Sequence, residues 1–251
     1  MSITVNADDF GLSEEMSKAI AENIKCKRVD RTTLMVNMPW AQQAMQLAKE
    51  EGFLDRVGIH LNLTSGMPLT DGIKTNRIFC DETGAFNASF AGNLKQRFFF
   101  DAKSAEQVRE ELSAQTERFF ELGGRLLHVD SHHHVHTDYS VYKVLKPLVR
   151  KYGIESIRFG RNMYRGGNPL MHLYKLIFNN SVGKITGRKV GLFGSADDLA
   201  AYFDSAKDRE KYATDGEIEV MVHVIPLRDN EGNIIYEDVP MDCVAAIVGR
   251  M

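Results

Sequence analysis

Five of the eight histidines in this 251-residue chain, His128, His132, His133, His134 and His136, fall within nine residues, beside Asp130 and after an apolar run that reads as a strand. Imidazole at this density at a strand end suggests a metal site. In an extended segment His128, Asp130 and His132 share one face, while Leu127, Val129 and Ser131 share the other. Three more stretches carry similar potential: Asn6-Ala7-Asp8-Asp9-Phe10-Gly11, Gly58-Ile59-His60-Leu61-Asn62-Leu63, and His223 at the end of a late apolar run. All occupy C-terminal portions of expected strands, the edge where parallel α/β folds build their sites.

Adjacent carboxylates at Asp8 and Asp9 repel each other, and the pair is easiest to sustain if a cation neutralises one and a proton or a basic neighbour serves the other. That divides them into ligand and base, against the plainer reading in which one caps the following helix. A divalent ion held by one Asp and two His keeps positions open for water and substrate. It would activate water and polarise a carbonyl, with the second carboxylate as base and another histidine as proton donor. Not all five clustered histidines can bind one ion. If the strand continues, His133 faces away from His132, and His134 and His136 either face substrate, support the ligands or simply pack. No Gly-x-Ser-x-Gly elbow or phosphate-cradling glycine loop competes.

Short apolar runs alternate with helical patterns, which predicts a parallel sheet covered by helices. Strands are expected at 2–7, 32–38, 57–63, 125–132, 156–159 and 217–224. Helices are expected from Ser13 to about Lys27, from Pro39-Trp40 to about Glu51, from a Ser104/Gln107 capping box to Gly123-Gly124, and from Asp138 or Ser140 to Tyr152. Residues 64–103, broken by Gly66, Pro68, Gly72, Gly84 and Gly92, read as a long insertion after the third strand, forming a lid or substrate wall. Its Phe98-Phe99-Phe100 run either stacks on a ligand or partner or turns through the core. Residues 161–215 read as helical and loop-like.

The length suits one domain over residues 1–251. With 31 basic and 34 acidic side chains the net charge is −3, and no block of one sign points to nucleic acid or a membrane surface. A small-molecule partner is expected. Cys26, Cys80 and Cys243 are too few and too scattered for a disulfide framework, and no leader or membrane span is visible. A cytoplasmic protein is the expectation.

Asn6-Ala7-Asp8-Asp9-Phe10-Gly11, Val36-Asn37-Met38-Pro39, Gly58-Ile59-His60-Leu61-Asn62-Leu63-Thr64 and His128-Val129-Asp130-Ser131-His132-His133-His134-Val135-His136 occur in this order, and the chain resembles the YdjC-like carbohydrate deacetylases over roughly 3–225. The resemblance implies an α/β fold, a deformed TIM-like (β/α) barrel. It implies a hydrolase that removes acetyl groups from N-acetylated mono- or oligosaccharides such as diacetylchitobiose, with one divalent metal ion, and a homodimer. By motif, Asp9, His60 and His132 would be metal ligands, Asp8 the general base, His223 the histidine near the leaving group, and Arg158 the arginine that orients the base. Asn37 and His134 are candidate substrate contacts. The resemblance suggests Mg²⁺, whereas two imidazoles suit Zn²⁺ or another transition metal. The chain departs from the family pattern at Val224-Ile225-Pro226 and over 238–251.

Trp40, Tyr164 and the 98–100 aromatics are candidate sugar-stacking surfaces. Arg158, Arg161 and Arg165, spaced by Gly160, Gly166 and Gly167, could bind hydroxyls or a sugar phosphate, or form a solvated loop. A metal phosphoesterase with the same ligands, or a metal- or sugar-binding protein without turnover, are the competing readings.

Overall fold

The computed structural model describes residues 2–125, 127–163, 168–204, 217–224, 226–228 and 234–236. Strands β1 (Ser2–Phe10), β2 (Arg31–Leu34), β3 (Val57–Leu61), β4 (His128–Ser131), β5 (Ser156–Ile157), β6 (Leu192–Ser195) and β7 (Glu217–Val222) form one parallel sheet. Its order, β5-β4-β3-β2-β1-β7-β6, is a ring of sequential neighbours opened between β5 and β6. Asn162 bridges that seam. Its backbone N–H donates to the Phe193 carbonyl at 3.0 Å, and its Oδ1 accepts from the Phe193 N–H at 2.8 Å. A side chain thus replaces part of a strand ladder, and the expected α/β TIM-like barrel forms in a deformed version.

Alternation along the strands separates two environments. Val5, Ala7, Ile59, Leu61, Val129, Ile218, Val220 and Val222 are buried and belong to the hydrophobic core, each contributing about 1.5–3 kcal/mol if large and fully buried. The intervening positions carry Asn6, Asp8, His60, His128, Asp130 and Glu219, also buried. The barrel therefore has a polar interior.

Helix α1 (Glu14–Lys25) starts where the sequence predicts, with Ser13 Oγ accepting from Met16 N–H at 3.2 Å. Helix α2 (Ala41–Glu50) follows Trp40, whose ring is half-buried against the core. Between β3 and the long helix lie two short helices, α3 (Asp71–Lys74) and α4 (Leu94–Phe98), in the predicted insertion. Helix α5 (Ala102–Glu121) is capped by Asp101, not by the Ser104/Gln107 box: Asp101 Oδ1 accepts from Ser104 N–H at 2.7 Å. Ser104 is buried in the first turn, and Gln107 donates to the Gly72 carbonyl in the insertion. Helices α6 (Tyr139–Tyr152), α7 (Pro169–Thr186) and α8 (Ala196–Asp204) complete the outer layer, and an antiparallel pair, β8 (Pro226–Arg228) and β9 (Ile234–Tyr236), follows β7.

Two expectations need correction. Strand β6 lies in a stretch that reads as helix and loop, because its glycines weaken the strand pattern. They are required by crowding: a Cβ on Gly191 would lie 2.5 Å from the Glu217 carbonyl oxygen, and one on Gly194 would lie 2.7 Å from the Asp198 side chain. The Phe98-Phe99-Phe100 run also divides. Phe100 packs edge-on against Phe79 at 5.1 Å, whereas Phe98 and Phe99 are exposed. Tyr164, Arg165, Gly166, Gly167, Cys243 and the segment 238–251 lie outside the described residues. No helix among the described residues is long and apolar enough to cross a membrane.

Candidate active site

The β1 motif shows how local backbone builds the site. In a regular strand Asp8 and Asp9 would point to opposite faces, yet the β1–β2 register shifts between Ala7 and Phe10, and Asp9 adopts φ +70°. This irregularity turns both carboxylates towards the barrel interior, a strained conformation of the kind found at functional sites. Asp9 Oδ1 then lies 3.2 Å from His60 Nε2 and 2.8 Å from His132 Nδ1. His223 Nε2 approaches Asp9 Oδ2 at 3.9 Å from the end of β7, its side chain half-exposed.

The histidine run does not continue as a strand. β4 ends at Ser131, and His133 and His134 take φ values of +53° and +56°. His133 therefore does not face away from His132: their rings stack with centroids 4.0 Å apart. His134 turns inward, its ring 5.7 Å from Phe193 and its buried Nδ1 without a hydrogen-bond partner. Burial, reinforced by the nearby Arg158 charge, pushes its pKa down to about 4, so it is neutral at pH 7. His136 is structural, with Nδ1 2.6 Å from Ser131 Oγ and Nε2 3.2 Å from the Arg158 carbonyl.

His60 and Asp130 are register partners on β3 and β4, which sets their side chains together. His60 Nδ1 lies 2.6 Å from Asp130 Oδ1, and Thr33 Oγ1 donates to Asp130 Oδ2 at 2.9 Å. A carboxylate behind an imidazole fixes the ring and raises the basicity of the nitrogen that faces a metal. Burial alone would lower the His60 pKa, but Asp130, with help from Asp9 and Asp8, outweighs it and raises the value to about 10. Asp9, for which burial works in the opposite direction, is held well below the usual carboxylate range by His132 and His60.

Arg158, fully buried just beyond β5, joins three other strands. Its NH1 and NH2 donate to Asp8 Oδ2 and Oδ1, both at 2.7 Å, and its Nε donates to Glu219 Oε1 at 2.6 Å. NH2 also lies 2.7 Å from Asp130 Oδ2, and the Phe193 ring covers the guanidinium. Asn6 Nδ2 donates to Asp8 Oδ1 at 2.8 Å.

Among the described residues three donor clusters are compact enough for a cation: Asp9–His60–His132, Asp8–His60–Asp130 and His128–Asp130–Glu219. In the last two, guanidinium groups already occupy the carboxylates: Arg158 holds Asp8 and Asp130, and Arg31 NH2 lies 2.8 Å from Glu219 Oε2. Only the first offers one carboxylate oxygen facing two ring nitrogens with no guanidinium between them. Charge balance agrees. With both imidazoles neutral, as metal ligation requires, Asp8, Asp9, Asp130 and Glu219 confront Arg31 and Arg158 with a deficit of two positive charges that a divalent cation would complete; without the ion, a proton on His60 supplies part of it. The residues present fit such an ion.

Asn37 holds the rim rather than opening into the interior, since its Nδ2 donates to the Ser65 and Met67 carbonyls, both at 3.0 Å. Arg161 is tied to Asp198 on α8. Sequence reasoning missed Asn6 as a partner of the base, Glu219 as a partner of Arg158, and Arg31, which joins Glu219 to Asn6. The available signal was a carboxylate at an inward position between Ile218 and Val220 of an otherwise apolar strand.

Comparison with known proteins identifies the family. A carbohydrate deacetylase of Clostridium beijerinckii is 39% identical over 61% of this chain and 58% of its own length, and one of Vibrio cholerae is 38% identical over 61% and 57%. These matches therefore span less than two thirds of those relatives. A carbohydrate deacetylase of Halalkalibacterium halodurans is 32% identical over 89% of this chain and 84% of its own length. A solved structure from Enterococcus faecalis V583, provisionally described as a cellobiose-phosphate cleavage protein, shares the fold with a TM-score of 0.64 at 24% identity, over 91% of this chain and 82% of that one. The YdjC-like protein model matches residues 2–226, and with its motifs gathered at one barrel rim the chain belongs to the YdjC-like family.

Proposed function

We propose that this chain is a metal-dependent carbohydrate deacetylase, a hydrolase that removes the acetyl group from N-acetylated sugars of the chitooligosaccharide type. The observation that carries this reading is the adjacency of an open donor set, Asp9–His60–His132, to a carboxylate, Asp8, that Arg158 holds by two 2.7 Å bonds. The names of relatives between 32% and 39% identical support it.

Asp9, His60 and His132 would hold the ion, which when bound supplies polarisation of the acetyl carbonyl and a lowered pKa for water. Asp8 takes the proton from the attacking water as general base, its orientation fixed by Arg158 and Asn6. His223, half-exposed and 3.9 Å from Asp9, gives a proton to the departing sugar amine. His134, turned inward beside Phe193, is a substrate-side residue in this reading, and Asn37 keeps the 65–67 loop in place beside the opening. Two imidazoles favour Zn²⁺ or another transition metal, and the family resemblance favours Mg²⁺. A homodimer belongs to the same reading, supported by Leu170, Leu173, Leu176 and Ile177 on α7, which are 54–72% exposed. A cytoplasmic location is supported by the free thiols Cys26 and Cys80.

Acetate release from diacetylchitobiose tests the proposal, with wild type before and after chelation and with Asp8→Asn. Wild type should release acetate, the chelated protein none, and Asp8→Asn should keep its metal while losing about 10²–10⁴ in turnover, the usual scale of general-base catalysis. No acetate from any N-acetylated sugar overturns the reading. Hydrolysis of a phosphate ester instead would support the phosphoesterase.

A further inference from the structure

The base is held by more than its arginine. Starting from Asp8, the hydrogen bonds form a closed circuit through the barrel interior: Arg158 NH1 and NH2 to Asp8, Arg158 Nε to Glu219 Oε1 at 2.6 Å, Arg31 NH2 to Glu219 Oε2 at 2.8 Å, Arg31 Nε to Asn6 Oδ1 at 3.0 Å, and Asn6 Nδ2 back to Asp8 Oδ1 at 2.8 Å. The backbone imposes the arrangement. Asn6 and Arg31 are register partners on β1 and β2, and Glu219 is on β7, the other neighbour of β1. Glu219 uses one oxygen for each arginine.

We infer that Glu219 is a positioning residue for the proposed deacetylation, fixing the Arg158 guanidinium so that both of its terminal nitrogens meet Asp8. The inference rests on the reading of Asp8 as the base and adds a residue to it. Without Glu219, the Arg158 Nε–H loses its acceptor. Arg158 NH2 is shared between Asp8 Oδ1 and Asp130 Oδ2, both at 2.7 Å, so once Nε is free the guanidinium can pivot about NH2 and draw NH1 away from Asp8 while keeping a carboxylate on NH2. Glu219, by holding Nε at 2.6 Å, blocks that pivot. Its carboxylate contacts neither the donor triad nor the open rim, and its effect on reaction passes through Arg158. Glutamine cannot substitute, because its amide N–H₂ would face one of the two guanidinium groups donor to donor.

The test compares wild type, Glu219→Gln and Glu219→Asp, each confirmed as folded by circular dichroism. One readout needs no turnover: the Arg158 Nε–H resonance, identified by its loss in Arg158→Lys. It should be protected from solvent exchange in wild type and lose that protection in Glu219→Gln. The other is acetate release from diacetylchitobiose. Here kcat should fall about 10–100-fold in Glu219→Gln, with KM within about threefold, because misorientation of the base affects the chemical step and not substrate binding. Glu219→Asp keeps the charge but is one methylene shorter, and should recover part of kcat. If the glutamine variant does not fold, the aspartate variant decides, with weakened protection and about a tenfold lower kcat expected. A protected Arg158 signal with unchanged kcat in a folded variant overturns the inference. A wild type that releases no acetate overturns the deacetylase reading, and the Arg158 resonance then decides this one independently.

Discussion

Two parts of the polar interior meet at Asp130 and differ in how completely their groups are satisfied. Around Asp9, ring nitrogens of His60 and His132 converge on one oxygen, His223 is half-exposed, His134 Nδ1 has no partner, and three non-glycine residues have positive φ. Around Arg158, each carboxylate meets at least one guanidinium, Arg158, Asp8 and Asp130 are almost wholly buried, and the hydrogen bonds close on themselves. The first region is arranged for something still to arrive. The second is complete, and its rigidity fixes the base. Buried charges of this kind are poor evidence of net stabilisation, but removing one partner is costly, so the two regions should respond differently to substitution.

Arg158→Met should have the largest effect, leaving Asp8, Asp130 and Glu219 without their shared cation at a cost of about 3–5 kcal/mol. In thermal denaturation that corresponds to a loss of about 10 °C for a chain of this size. His132→Ala sharpens the contrast: it should abolish metal binding in calorimetric titration while shifting the melting temperature of the metal-free protein only slightly. Equal destabilisation by both substitutions would erase the distinction between the regions.

Asp130→Asn comes next, since Asp130 joins the regions through His60 Nδ1 on one oxygen and Arg158 NH2 on the other. Loss of a carboxylate behind a ligating imidazole should weaken metal affinity about 10–100-fold, measured by competition with a chelating dye.

The smallest effect is the pH response of His136. Burial, then the nearby His134 and Arg158, push its pKa down to about 3, whereas the unfolded chain takes up that proton near 6.5. Between these values the unfolded state binds more protons. The folded protein therefore has its full stability from this group above pH 6.5 and loses it as pH falls towards 3, by about 1 kcal/mol at pH 5.5. Urea unfolding at pH 7.5 and 5.5 should show the loss in wild type and a smaller one in His136→Gln. An unchanged difference would mean that His136 does not set the slope.

The open region was legible in the sequence because it is written in residue types at strand ends: Asp9, His60 and His132 each close a short apolar run, and parallel strands bring such ends to one rim. What could not be read there is the backbone irregularity at Asp9 and the left-handed turn at His133 and His134, since neither residue is glycine and nothing in the local pattern demands positive φ. The completed region was mostly hidden for another reason. Its pairings, such as Asn6 with Arg31 and Arg158 with Glu219, depend on strand register and on how far the sheet curls. Strand β6 was lost to its glycines, which are set by crowding from other elements.

The account depends most on the identity of the metal ligands, and anomalous diffraction from crystals soaked in Zn²⁺ addresses it directly. The prediction is one strong peak bounded by Asp9 Oδ1, His60 Nε2 and His132 Nδ1, with the Asp8–Arg158 pairing unchanged. A peak among His128, Asp130 and Glu219, or none at the Asp9 site under saturating metal, would contradict it.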